Sequence, residues 1–165
     1  EGEPEQVLAE LALLHLDFVF AGQPPPANPN LRMHSRVLNT TTVDWYGASR
    51  WVKKSSVSHF PHCLAELPVL LPTGHSRLRV DLNYWFEQLG IVPHVVGEFE
   101  DSALMSVFAA RGLGVFPVSR LGVYDAGTLS GLRLLGQCPD LHEEIHGVWN
   151  VKGIDHPLVV ELLKV

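Results

Sequence analysis

Residues 95 to 118 constrain this chain more than any other stretch. Val95-Val96-Gly97-Glu98-Phe99 carries apolar residues at alternate positions and reads as a short strand. Asp101 or Ser102 follows as an N-cap, because a short side-chain oxygen there accepts an orphan amide proton of a first helical turn. Leu104, Val107 and Phe108 recur at helical spacing and predict one apolar face. Gly112 and Gly114 stop the helix, and Val115-Phe116-Pro117-Val118 reads as a second strand. A strand–helix–strand unit of this kind requires an α/β fold. It presents a helix N-terminus, with free amides and the positive end of the dipole, at the end of a strand, where α/β sheets hold ligands.

The flanking sequence supplies further units. Glu5 to His15 predicts a helix with Val7, Leu8, Leu11 and Leu14 on one face and Pro4 in its first turn. Leu16 to Phe20 reads as a buried strand, and Ala21 to Asn30 as a loop with the stiff Pro24-Pro25-Pro26 connector inside it. Leu31 to Val37 and Asn39 to Trp45 predict two further strands, the second rich in β-branched residues. A loop and one short helix near Phe60 to Leu67 come next. Leu67 to Pro72 is a short buried strand, and Thr73-Gly74-His75-Ser76 is a turn with Ser76 as N-cap. The helix after it runs to about Leu89, with Leu78, Leu82, Trp85, Phe86 and Leu89 inward, Arg77, Arg79, Asp81 and Glu87 in solvent, and Gly90 ending it. Leu121 to Gly136 is glycine-rich and loosely patterned, with a short strand at Leu132 to Leu135. Leu141 to Val151 alternates as a strand, and Pro157 to Lys164 predicts a final helix.

Composition removes several function classes. The 165 residues, 46% of them hydrophobic, suffice for one ordinary domain or two small lobes. A net charge of −6 repels phosphates, so this chain is not expected to bind DNA by itself. No apolar run is long enough to span a bilayer, so no membrane partner is expected. The start, Glu1-Gly2-Glu3-Pro4-Glu5, lacks a signal-peptide pattern and an initiator Met, as expected of a truncated cytoplasmic protein. Cys63 and Cys138 form no motif and are expected to be two reduced thiols.

Two motifs suggest metal chemistry, and neither is expected to deliver it. His142-Glu143-Glu144-Ile145-His146 fits H-E-x-x-H, which grips zinc only on a helix. Pro139, Gly147 and the local alternation predict a strand, where residues four apart stand roughly 13 Å apart. The stretch then reads as a solvated face bearing His142, Glu144 and His146. His59-Phe60-Pro61-His62-Cys63 has suitable ligands but no second cluster, and reads as surface histidines. No cofactor and no metal are expected. Nothing resembles a P-loop, a nucleophile elbow or a dinucleotide fingerprint, so the chain is not expected to be an enzyme.

GEFEDSALMSVFAARGLGVFPVS, preceded by LPVLLPTGHSRLRVDLNYWFEQLGIVPHVV, resembles the effector-binding domain of LysR-type transcriptional regulators. Through WFEQLGIVPHVVGEFEDSALM and GLGVFP it is most similar to a sodium-responsive activator of that family. The resemblance covers roughly Glu5 to the end. It implies an α/β, two-lobe fold like a type 2 periplasmic binding protein, truncated at its N-terminus, without the winged helix-turn-helix and the first strand–helix–strand. Lobe I would be residues 1–44 plus 147–165 and lobe II residues 45–146, with two crossover strands joining them. Asp17 then matches an aspartate of the family's strand or is a surface turn carboxylate. Thr41 and Thr42 present hydroxyls to a cleft or simply satisfy β-propensity. The effector residues implied are Thr73, Gly74, His75 and Ser76, then Asp101 and Ser102, then Val118 and Ser119.

The implied function is a population shift in which a small effector or a monovalent cation biases a regulator that binds promoter DNA through its N-terminal domain, as a homodimer or dimer of dimers. Glu98, Glu100 and Asp101 beside the site disfavour an anion. They offer oxygens to sodium, or else cap the helix and stay solvated. The same fold also serves solute-binding proteins of transporters, which is the alternative function.

Overall fold

The computed structural model describes residues 2, 4–28, 33–120, 130–150 and 157–162. Residues 29–30 of the expected loop, 31–32 of the strand expected at 31–37, 121–129 of the glycine-rich run, Val151, and the end of the last expected helix at 163–164 lie outside them. The elements in order are α1 (Pro4–Ala12), β1 (Phe18–Ala21), β2 (Met33–Ala48), α2 (Lys54–Ser58), a 3-10 turn (His62–Ala65), β3 (Pro68–Pro72), α3 (Arg77–Leu89), β4 (His94–Phe99), α4 (Ser102–Ala110), β5 (Val115–Ser119), β6 (Leu132–Asn150) and α5 (Pro157–Leu162). Hydrogen bonding links the strands in the order β1-β6-β2-β5-β3-β4.

The chain divides into two compact units, one of Glu1–Thr40 with Glu144–Val165 and one of Thr41–Glu143. In the first, β1 pairs antiparallel with the end of β6, Val19 opposite Val148 and Ala21 opposite His146. Helix α1 closes this pair through Leu11, which packs with Val19 and Val148. Leu14 does not share that face. The helix ends at Ala12, Leu14 takes a left-handed φ of 61°, and its side chain is 51% exposed.

The second unit is built on β3. It runs parallel to β4 on one side and to β5 on the other, and β5 pairs antiparallel with β2. Successive strand residues face opposite sides, and β3 is buried on both. Val69 and Leu71 join Leu82, Phe86 and Trp45 beneath α3. Leu70 joins Met105, Ala109 and Phe116 beneath α4. The unit is thus a doubly wound sheet whose strand order reverses at β3. Both helices stop where glycine permits a left-handed turn: Gly90 has φ 64° with the Ile91 amide donating to the Phe86 carbonyl at 2.9 Å, and Gly112 has φ 86° with Leu113 donating to Phe108 at 3.1 Å.

Several expectations need correction. The strands read at 31–37 and 39–45 are one strand, because the β-branched run contains no turn residue to break it. The stretches near 132–135 and 141–151 likewise join into β6, which carries Pro139 inside it. The short helix expected at Phe60 to Leu67 is replaced by α2 and the 3-10 turn. The buried face of α4 is Met105, Ser106 and Ala109, while Leu104, Val107 and Phe108 stay exposed or nearly so, and Leu89 of α3 is likewise outside the core. Helix α4 is apolar nearly all round, so its pattern does not select a face.

Candidate functional site

A doubly wound sheet leaves a crevice beyond the carboxyl ends of its strands at the point where the order reverses. Here that point is the end of β3, and a cavity of about 430 Å³ lies there. Its size falls in the range of small-molecule sites, about 300–1,000 Å³. Pro72 ends β3 at its rim. Ser76 and Leu78 enter from the start of α3, Ser102 and Ser106 from the start of α4, and Pro117 to Ser119 from the end of β5. Met105 and Phe116 form an apolar floor, and Glu100 and Glu143 add carboxylates.

Of the residues singled out in the sequence, Ser76, Ser102, Val118 and Ser119 line this cavity. Thr73, Gly74 and His75 form the turn that leads to it. The Thr73 amide donates to the Phe99 carbonyl at 3.0 Å, and Ser76 donates back to Thr73 at 3.1 Å. Asp101 is exposed and caps α4, its Oδ1 accepting from the amides of Ala103 at 2.7 Å and Leu104 at 3.2 Å. Ser76 holds the N-cap position of α3 but makes no side-chain capping bond.

Charges in this region are unevenly satisfied. Arg79, expected in solvent, has a side chain only 15% exposed. Its Nη1 donates to the Pro72 carbonyl and pairs with Glu98, each at 2.7 Å, and its Nε donates to Asn83. It borders the apolar stripe of α3 three residues before Leu82, so its stem can fold back over the end of β3. Glu98 and Asp101 are therefore already engaged, one by a guanidinium and one by helix amides. Glu143 is half-buried in the cavity wall and has no ion-pair or hydrogen-bond partner among the described residues. The Ser119 hydroxyl oxygen is out of reach of solvent and likewise unpartnered. Ser106 donates to the Ala103 carbonyl at 2.7 Å. Behind β5, the buried Asp44 accepts from Arg120 Nε at 2.9 Å through one oxygen, and its other oxygen has no partner. Burial, followed by the nearby Asp44 carboxylate, pushes the Tyr46 phenol up.

Ser106, Arg79 and Glu143 escape the sequence reading. Ser106 was signalled, since it stands four residues after Ser102 on the same helical face. Nothing local signals Glu143, which β6 delivers from far along the chain.

The H-E-x-x-H stretch lies on β6, which removes the helical geometry zinc needs. His146 is buried, however, not solvated as expected. It sits opposite Ala21, and its Nε2 is 2.9 Å from Glu144 Oε2. His59 and His62 stand with ring centroids 6.3 Å apart, while Cys63 points into the core. Among the described residues no three His, Cys, Asp or Glu side chains are placed to hold a metal ion.

Comparison with known proteins agrees with this geometry. The family model of the LysR substrate binding domain matches residues 1–165. The chain belongs to that family. The transcriptional activator protein NhaR of Escherichia coli (strain K12) is 28% identical over 169 residues, a match covering 96% of this chain and 55% of NhaR, and NhaR of Shigella flexneri matches to the same extent. The chain thus spans about half the length of these curated relatives. Among solved structures, the cofactor-binding domain of the Cbl transcriptional regulator superposes with a TM-score of 0.78 at 14% identity, covering 99% of this chain and 71% of that one. The regulatory domain of Synechocystis PCC6803 CcmR in complex with 2-PG gives 0.71 at 12% identity, covering 97% and 78%. The fold is therefore that of a LysR effector-binding domain, α/β and like periplasmic binding proteins. Among the described residues no helix is long and apolar enough to cross a membrane.

Proposed function

We propose that this chain is the effector-sensing module of a LysR-type transcriptional activator that works as NhaR does, and that it performs no catalysis. The observation that carries this reading is the cavity at the end of β3, where hydroxyls and two helix N-termini converge over an apolar floor. Such a site orients a small ligand and supplies no nucleophile–base pair. The chain works as two lobes, 1–44 plus 147–165 in one and 45–146 in the other, and the bounds of the two compact units, Glu1–Thr40 with Glu144–Val165 and Thr41–Glu143, lie close to these. A ligand that binds one arrangement better shifts the population of a cytoplasmic homodimer or dimer of dimers. That regulator reaches promoter DNA through a separate domain.

A second reading is a direct response to sodium or lithium, favoured by the carboxylates gathered at Glu98, Glu100 and Asp101. Thermal unfolding in NaCl or LiCl against KCl at matched ionic strength separates the two, because a ligand specific to the folded state raises its stability. Asp101→Asn keeps a cap, since an amide oxygen accepts the same amide protons. A rise specific to sodium or lithium that this variant abolishes supports the ion. Equal melting in all three salts leaves an organic effector. The sensing role itself is tested by Ser119→Phe, which fills the cavity. If the intact regulator carrying it still activates its promoter in response to inducing conditions as the parent does, the cavity is not the sensor.

A further inference from the structure

We propose that the cavity selects a small zwitterion, a compound bearing one carboxylate and one ammonium on a short apolar frame. The inference rests on reading the cavity as the effector site. The anionic end belongs at α3. The first amides of a helix have no intrahelical acceptor, and those of Arg77 and Leu78 have none among the described residues, because Ser76 makes no side-chain cap. Ser76 and Leu78 both line the cavity, so these amides and the Ser76 hydroxyl are disposed to meet a carboxylate there. Ser119, half-buried, adds a hydroxyl oxygen that is shielded from solvent and has no partner among the described residues, an independent sign that a polar group is missing from this wall.

The second helix cannot serve a second anion. Asp101 already accepts from two first-turn amides of α4, those of Ala103 and Leu104, and places its own negative charge there. The arginines next to lining residues in the chain are committed elsewhere: Arg79 is held by Pro72 and Glu98, Arg77 pairs with Asp81, and Arg120 with Asp44. One anionic group is accommodated and two are not.

The cationic end belongs at Glu143. A half-buried carboxylate without a partner in a cavity wall favours an ammonium, and Glu100 on the same lining reinforces it. Met105 and Phe116 line the same cavity; they suit methylene groups and offer nothing to a hydrated metal ion. A lone sodium ion would leave the α3 amides and the apolar floor unused.

The test is thermal unfolding and calorimetry of the full chain with glycine, β-alanine, 4-aminobutyrate and 6-aminohexanoate. Hexylamine, hexanoate and adipate are the single-charge and dianion controls. At least one ω-amino acid is expected to raise the melting temperature saturably, with each control at least tenfold weaker. Glu143→Gln should lower the zwitterion's affinity at least tenfold while leaving that of hexanoate unchanged. A control that binds as tightly as every zwitterion, a zwitterion indifferent to Glu143→Gln, or no shift with any amino acid at millimolar concentration overturns the proposal. Ser119→Phe tells which reading failed. If it abolishes binding of an adipate or hexylamine that did bind, the cavity is the site and only the ligand class was wrong. If binding survives it, the effector site lies elsewhere.

Discussion

Gly114 offers a test of how rigidly the second unit is packed. It lies between α4 and β5, and its backbone passes against the start of β3. A methyl group there would meet the Pro68 carbonyl oxygen at 2.6 Å and Leu70 Cγ at 3.1 Å. The first contact is with backbone that is fixed in a sheet, and Leu70 is fully buried, so neither neighbour can step aside. Overpacking of this kind costs about 1–3 kcal/mol. Gly→Ala also lowers the entropy of the unfolded chain, a gain of about 0.4–1 kcal/mol. Mid-range values give a net loss for Gly114→Ala of about 1 kcal/mol, which for a chain of this size lowers the melting temperature by roughly 2–4 °C. The internal control is Gly74→Ala, where a methyl group meets nothing within 4 Å and the backbone is not left-handed. It should melt at or slightly above the parent. Scanning calorimetry or the circular dichroism melt of both variants decides the matter. If Gly114→Ala melts with Gly74→Ala, the α4–β5 turn can shift away from β3 and the close approach does not constrain the sheet.

Three further outcomes are expected. Met105, 2% exposed against Leu70 and Phe116, should lose about 2–5 kcal/mol on truncation to Ala, whereas Leu104→Ala, at 49% exposed, should stay within about 0.5 kcal/mol; urea melts of the two variants check the face assignment. Arg120→Ala removes the one partner of the buried Asp44 carboxylate and should cost about 2 kcal/mol, less than a fully buried pair because Arg120 is half exposed, and an added Asp44→Asn should recover part of it in a double-mutant cycle. Burial pushes the thiols of Cys63 and Cys138 up from 9.0, to about 11 and about 12. Both should react slowly with a disulfide reagent at pH 8 until the protein is unfolded. The folded state holds these protons more tightly, so its stability should be flat below about pH 9 and fall as pH rises through 11, less steeply in Cys63→Ala and Cys138→Ala.

The sequence yields the second unit's order of elements because each boundary carries its own chemistry. Pro68 and Pro72 bracket β3, Asp101 caps α4, and Gly90 and Gly112 turn the chain out of its helices. These signals are local, and they place Ser76, Ser102, Val118 and Ser119 at strand and helix ends, where a doubly wound sheet opens its crevice. What is not legible depends on partners distant in the chain. The face of α4 is chosen by Leu70 and Phe116, since its own residues are apolar on both sides. His146 alternates like a solvated residue and is buried because β1 lies beside it.

The same division bears on the charge of the site. Glu98, Glu100 and Asp101 stand together in the chain and suggest a negative pole that a bare cation would seek. Two of the three are already engaged: Asp101 by the α4 amides, as its capping position signals, and Glu98 by Arg79, a bond that is not visible without the fold. Among the described residues, the cavity-lining carboxylates left without a partner are Glu100, which is exposed, and the half-buried Glu143, more than forty residues later and hidden inside a motif that reads as zinc chemistry. The positive pole is likewise weaker at α4, where Asp101 accepts from the Ala103 and Leu104 amides, than at α3, which the Ser76 side chain leaves uncapped. If the cavity takes a zwitterion, it is polarised between two elements that the sequence keeps apart, and its selectivity follows from that pairing and not from the local run of acids.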